Sequence, residues 1–161
     1  MSVLTLGQAQ VENTWTTVAP LPKAHLSPAL GTALDGQIYL IGYDIAERYD
    51  PVSNNWTAIT PMPQEVGGAV VACQNKIYVI SGITQVYDPV TNSWANKISI
   101  PPSLSGTTAA VVGDKIYVIS GGTGGYVIDN SDTTYVYDPV TDSWSTMAPT
   151  LTPVQSCASA V

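Results

Sequence analysis

The sequence predicts an all-β fold built from repeated four-stranded units, and three observations carry that reading. One segment occurs three times, as YDPVSNNW (49–56), YDPVTNSW (87–94) and YDPVTDSW (137–144). Ahead of each copy stands a short β-branched and aromatic run, QIYLIG (37–42), KIYVISG (76–82) or KIYVISGG (115–122), with Tyr39, Tyr78 and Tyr117 spaced 39 residues apart. Charged residues make up 11% of the chain, while glycine and proline number 13 and 12. Against about 25% charge in an average domain, that composition excludes coiled coils and charge-faced helical bundles. A recurrence of this period marks one supersecondary unit per copy.

Four strands are expected in each copy. Strand one is GTAL (31–34), GAVVAC (68–73) or TTAAVV (107–112), and strand two is the Ile-Tyr run. Strand three is AERYD (46–50), TQVYD (84–88) or TTYVYD (133–138), and strand four starts at Trp56, Trp94 or Trp144. These runs are short, apolar and bounded by turn residues, which is the signature of strands rather than helices. Asp35-Gly36, Gln74-Asn75 and Gly113-Asp114 fall between strands one and two, where a two-residue hairpin turn wants positive φ. The repeated Asp-Pro suits a type I turn between strands three and four: Pro presets φ, and the Asp oxygen accepts from backbone N–H groups ahead of it. The copies span about 20–60, 61–98 and 99–148 of a single domain covering 1–161, repeats of one supersecondary unit each. TWTTVA (14–19) reads as the outer strand of a preceding unit and SCASAV (156–161) as the inner strand of a following one.

The Ile-Tyr strand ending at a glycine doublet, the Tyr-Asp-Pro turn and the Trp resemble the kelch repeat, from about Trp15 to the C-terminus. The resemblance implies β-propeller blades of four antiparallel strands, with strand one lining a central channel and the Trp and Tyr side chains packing between blades. It departs in two places. The doublet is complete only at Gly121-Gly122, being Gly42-Tyr43 and Gly82-Ile83 earlier, and the Arg often found after Pro-x-Pro in kelch repeats is replaced nearby by Lys23, Gln64 and Ser103. Propellers typically have four to eight blades, so three kelch-type copies leave a ring not closed by one chain. Three arrangements follow: part of a longer propeller, a ring closed by a second copy, or an open array.

Five basic and twelve acidic residues give a net charge of −7. Phosphate backbones and anionic headgroups repel such a chain, so neither nucleic acid nor a membrane surface is an expected partner. The start, MSVLTLGQAQVENTW, lacks a secretory pattern, and no apolar stretch reaches the ~20 residues of a membrane span, so a soluble protein is expected with its compartment open. Cys73 and Cys157 make no zinc or disulfide framework, and Cys73 aligns with strand-one apolar positions as a buried free thiol.

No catalytic constellation emerges and no cofactor is expected. His25 is the only imidazole, so neither a Ser-His-Asp triad nor a copper or zinc site has its ligands. GGTGG (121–125) has no following Lys-Ser/Thr and reads as a flexible interstrand loop rather than a phosphate cradle. Asp50, Asp88 and Asp138 recur in every copy and read as turn residues rather than paired catalytic acids. Loop variation is then the place to look for function. In an antiparallel meander the strand 2–3 loops and the 4–1 connections share one face, and they vary among copies. From Tyr117 to Tyr137 is 20 residues, against 10 from Tyr39 to Tyr49 and 9 from Tyr78 to Tyr87, which places an insertion around 124–132. The expected binding face therefore carries Lys23, His25, Tyr43, Asp44, Gln64, Glu65 and Ser103, with Tyr126, Asp129, Asn130 and Asp132 on the insertion. The kelch resemblance implies a non-catalytic protein-binding or scaffold module for an unidentified protein partner. The alternatives are a glycan ligand in a carbohydrate-active enzyme of the sialic acid mutarotase kind, and a self-assembling half-propeller.

Overall fold

Two-residue hairpins set the register of the molecule. The computed structural model describes residues 15–23, 30–43, 45–64, 68–101, 104, 106–119, 121–123 and 129–153. Asp35 and Gly36 both take positive φ (50° and 74°), as do Gln74 and Asn75 (50° and 58°), whereas the third turn does so only at Gly113 (59°). The first two therefore have the signs of a type I′ turn and the third those of type II′, both of which match the twist of paired strands.

Each hairpin opens a four-stranded antiparallel meander. The first sheet is β1 (Leu30–Leu34), β2 (Gln37–Ile41), β3 (Ala46–Asp50) and β4 (Asn55–Ala58). The second is β5 (Ala69–Cys73), β6 (Lys76–Ile80), β7 (Thr84–Asp88) and β8 (Ser93–Lys97). The third joins β9 (Thr108–Val112), β10 (Lys115–Ile119), β13 (Thr134–Asp138) and β14 (Ser143–Met147), with the short pair β11 (Gly122–Thr123) and β12 (Asp129–Asn130) between β10 and β13. These are the three expected blades, no helix occurs among the described residues, and the sheets do not close into a ring.

Alternation along strand two shows how the blades stack. Successive side chains of a strand point to opposite faces. In the middle blade both faces of β6 are covered, so Ile77, Tyr78, Val79 and Ile80 are all buried. In the first blade only Tyr39 and Ile41 of β2 are buried, and in the third only Ile116 and Val118 of β10. Blade one therefore buries the face carrying Tyr39 against Ile77, Val79 and Tyr87 of blade two, with Ile59 and Met62 of the connecting segment between them. Blade two buries Val71, Cys73, Tyr78 and Ile80 against Ile116, Val118 and Tyr137 of blade three, with Ile100 and Leu104 in the seam. Cys73 is a buried free thiol as expected, and burial pushes its pKa up.

Three expectations are corrected. Trp94 and Trp144 pack against the clusters between blades as expected, but Trp56, Trp94 and Trp144 are half-buried rather than largely buried, because β4, β8 and β14 are the edge strands of their sheets. Tyr39 and Tyr78 are buried, but Tyr117 is only half-buried, since no blade covers its face. Residues 15–19 lie outside any strand, as the described residues offer them no neighbouring strand to pair with. The inner strand expected at 156–161 falls outside the described residues.

Candidate functional site

The Tyr-Asp-Pro segment forms the same turn in each blade. Asp50, Asp88 and Asp138 accept from the backbone N–H of Val52, Val90 and Val140 through Oδ1 at 2.9, 2.9 and 3.0 Å. In blades two and three the second oxygen takes a lysine from strand two, Lys76 to Asp88 and Lys115 to Asp138. These ammonium groups, followed by the backbone donors, hold both carboxyls below the usual range. In blade one Gln37 replaces the lysine, and the Ser53 hydroxyl is the largest influence lowering Asp50.

Four residues beyond each of these Asp residues lies a position that sequence reasoning passed over. Asn54, Asn92 and Asp142 sit at φ of 51°, 50° and 49°, a left-handed conformation that Asn and Asp tolerate better than most residues. Their Oδ1 atoms accept the hydroxyls of Tyr49, Tyr87 and Tyr137 at 2.8, 2.8 and 2.6 Å. The same oxygens accept the backbone N–H of Ala19, Thr60 and Ile98 at 2.7, 2.9 and 3.1 Å. The carbonyls of those three residues in turn accept Trp56, Trp94 and Trp144 Nε1 at 2.9, 2.8 and 2.9 Å. Each blade thus carries a Tyr, Asx and Trp socket that grips both polar groups of one peptide residue. In blades two and three that residue belongs to the segment leaving the preceding blade. A recurring Asx between the Asp-Pro and the Trp was the available signal.

Blade three has the one socket of the three built on a carboxylate. The Tyr137 hydroxyl is the largest influence lowering Asp142, with the Ile98 N–H and Lys97 (3.7 Å) assisting, while burial pushes Tyr137 up. A carboxylate whose folded pKa is depressed contributes stability above its unfolded pKa, near about 4, and loses it as pH falls through the folded value. Asp142→Asn is therefore expected to lower the melting temperature modestly at pH 7, since the amide oxygen still accepts both bonds as Asn54 and Asn92 do but the charge and its pair with Lys97 are lost. It should also make the fall in melting temperature below about pH 4 shallower than in the parent protein. Equal slopes in a pH series would refute the assignment.

The opposite face carries the variable loops. In blades one and two the strand 2–3 connections are short, with Gly42 N–H donating to the Ile45 carbonyl and Ser81 N–H to the Ile83 carbonyl, both at 2.9 Å. In blade three the corresponding segment is the expected insertion. Gly122–Thr123, read from the sequence as part of a flexible loop, instead pairs with Asp129–Asn130, because the two ends of the insertion are antiparallel and in register. Ser131 N–H donates to the Gly121 carbonyl at 2.7 Å, and the Asp132 carbonyl accepts Thr150 N–H at 2.7 Å. The base of this hairpin is thereby tied to the segment leaving blade three.

Of the residues expected on this face, Lys23 and Gln64 are exposed and occupy equivalent positions after Pro22 and Pro63. Tyr43 is 46% exposed. Asp129 and Asn130 form β12, and Asp132 is half-buried at the hairpin base. His25, Asp44, Glu65, Ser103 and Tyr126 lie outside the described residues. One contributor was missed: Gln85, fully buried in β7, accepts the Gln64 N–H at 3.2 Å and donates to the Gln64 carbonyl at 2.9 Å. Glu47 and Tyr135 hold that place in the other blades, so no recurrence flagged it. Among the described residues no group of three or more His, Cys, Asp or Glu is placed to hold a metal ion, and no helix is long and apolar enough to cross a membrane.

The family model described as Kelch motif matches residues 103–150. Kelch-like protein 35 of Mus musculus is 42% identical over 81 residues, covering 45% of this chain and 14% of that protein. Kelch repeat and BTB domain-containing protein 2 of Homo sapiens is 30% identical over 121 residues, covering 68% of this chain and 19% of that protein. The chain thus spans under a fifth of these curated relatives. Among solved structures, the structure of YjhT matches with a TM-score of 0.75 at 18% identity, over 91% of this chain and 59% of that one, which shows a shared fold.

Proposed function

Since the chain belongs to the kelch-repeat family, we propose that it is a non-catalytic protein-binding or scaffold module whose partner docks on the face of the strand 2–3 and 4–1 connections. The observation that supports this most is the anchored hairpin β11–β12. It is the one long departure from the repeat, it has a fixed base at Gly121, Ser131 and Asp132, and it rises from the face where loops differ. The opposite face is occupied by hairpins and Asp-Pro turns whose polar groups are engaged within the blades, which leaves little for a ligand to bind.

Charge selects the partner class. Asp44, Glu65, Asp129 and Asp132 belong to the proposed face and the chain carries −7 overall, so a basic or hydroxyl-rich surface is favoured over an acidic one. Tyr126, outside the repeated Tyr positions, is the proposed aromatic anchor. The test is a panel of basic peptides, acidic peptides and glycans against the parent protein and a variant lacking 123–132. Binding of basic peptides that falls at least tenfold in the deletion variant is the expected result. Undiminished affinity in that variant, with loss on altering the Asp-Pro turns, would put the site on the wrong face. Capture of glycans alone would favour the carbohydrate-active alternative.

A further inference from the structure

The seam between blades one and two ends on the loop face in a contact made nowhere else among the described residues. Gln85 is 0% exposed, and its carboxamide takes both polar groups of one peptide residue: Oε1 accepts the Gln64 N–H at 3.2 Å and Nε2 donates to the Gln64 carbonyl at 2.9 Å. A carboxamide offers a donor and an acceptor side by side. Glu47 and Tyr135, at the same place in the other blades, cannot make this pair. An ionised carboxylate has no donor, and a single phenolic oxygen cannot span both groups. An unpaired buried amide is costly, so folding of blade two favours the pair.

The segment that leads to Gln64 is fixed before it arrives. Thr60 sits in the socket of Asn92 and Trp94, and Met62 is buried between the blades. Pro61 and Pro63 set φ at the positions on either side of Met62. Both bonds from Gln85 go to the main chain of Gln64, so the carboxamide of Gln64 itself, exposed on the loop face, is left for another molecule. Its backbone is held at three points within the fold, and only the side chain has still to be ordered when a ligand binds. Because this seam lies between two blades of the chain, neither end of the stack enters into it.

We propose that Gln64 repeats outward what Gln85 does inward: its carboxamide pairs with the N–H and carbonyl of one residue in an extended stretch of the protein partner's main chain. Gln85 is the positioning residue that holds Gln64 for this contact. The role rests on the loop face being the docking side for a protein. Backbone reading at this seam fixes the register of the bound segment, while basic side chains of the partner face the carboxylates of the loops.

The probes are Lys- and Arg-rich peptides that the parent protein binds, titrated against Gln64→Ala, Gln85→Met and the double variant. Gln64 is exposed, so its truncation should leave the denaturation midpoint in place while the peptide binds about tenfold more weakly, the worth of one to two hydrogen bonds. Gln85→Met should weaken binding about fivefold on its own and not at all on top of Gln64→Ala, which a merely structural Gln85 would not do. Gln85→Glu adds a pH signature: the ionised carboxylate repels the Gln64 carbonyl and the protonated one donates to it, so affinity relative to the parent should recover between about pH 7 and pH 5. N-methylation of the peptide's amides, one at a time, should find a position that costs the parent about tenfold and Gln64→Ala nothing. Full affinity in Gln64→Ala, where the variant lacking 123–132 has lost it, overturns the proposal and leaves the docking side standing. So do additive losses in the double variant, no recovery of Gln85→Glu on acidification, or a methylation series without such a position. A parent protein that binds none of the peptides overturns the docking side and this contact with it.

Discussion

Trp94→Ala is expected to destabilise the protein by about 3 kcal/mol, the low end of the range for truncating a large aromatic. The low end applies because Trp94 is half-buried, on the edge strand β8, with its ring 5.2 Å from that of Tyr87. Its effect exceeds that of a surface residue because it closes a seam. Nε1 donates to the Thr60 carbonyl at 2.8 Å, and Thr60 also donates its N–H to Asn92 at 2.9 Å, so the segment leaving blade one is pinned to blade two at this point. Trp94→Phe keeps most of the ring contact and loses the indole donor, and about 1 kcal/mol is the expected cost of that bond. Chemical denaturation of the two variants separates packing from hydrogen bonding. Equal losses in both would mean that the ring contributes little, and an unchanged midpoint for Trp94→Ala would remove the seam role altogether.

The blades were legible because every level of the sequence agreed on them. Period, apolar alternation and turn residues pointed to the same strands, and Asp35-Gly36, Gln74-Asn75 and Gly113 hold the positive φ that their places required. Agreement of this kind across levels is what specifies a fold. Burial was harder to read. The repeated Trp residues suggested inter-blade packing, which Trp94 and Trp144 make, but recurrence does not say which strand is the edge, and so not how deep they lie. The deeper aromatics are Tyr49, Tyr87 and Tyr137, one strand further in. The socket was half legible: Asn54, Asn92 and Asp142 recur, but the peptide they hold is named only by the way consecutive blades stack. On the loop face recurrence offered no help. Gln85 has no equivalent in the other blades, and the pairing of Gly122–Thr123 with Asp129–Asn130 rests on two short runs that carry no strand propensity.

Two glycines separate a steric requirement from a conformational one, and Gly68→Ala carries the second large expected effect. A β-carbon at Gly68 would lie 2.2 Å from the Ile80 carbonyl oxygen, 2.8 Å from its carbon and 2.9 Å from Ser81 Cβ. Two of these are backbone atoms in or beside β6, and no rotamer change moves them away. The start of β5 must therefore shift from β6, and Ala69 and Ile80, both buried in the seam between blades two and three, shift with it. A loss of about 3 kcal/mol is expected, the upper part of the range for overpacking a filled site. Gly36 has φ of 74° with nothing within 4 Å of an added β-carbon, so only its conformation is at stake. Asn75 holds the equivalent place in blade two at φ of 58°. Gly36→Asn should accordingly stay within about 0.5 kcal/mol of the parent protein, as surface substitutions usually do. If both variants unfold at the same denaturant concentration, the close approach at Gly68 is not what selects glycine there. If Gly68→Ala alone falls, the β5–β6 pair of blade two is closed at this end by contact rather than by turn geometry. Thr107, at the same place in blade three before the longer connection to β13, shows that the repeat itself accepts a side chain there.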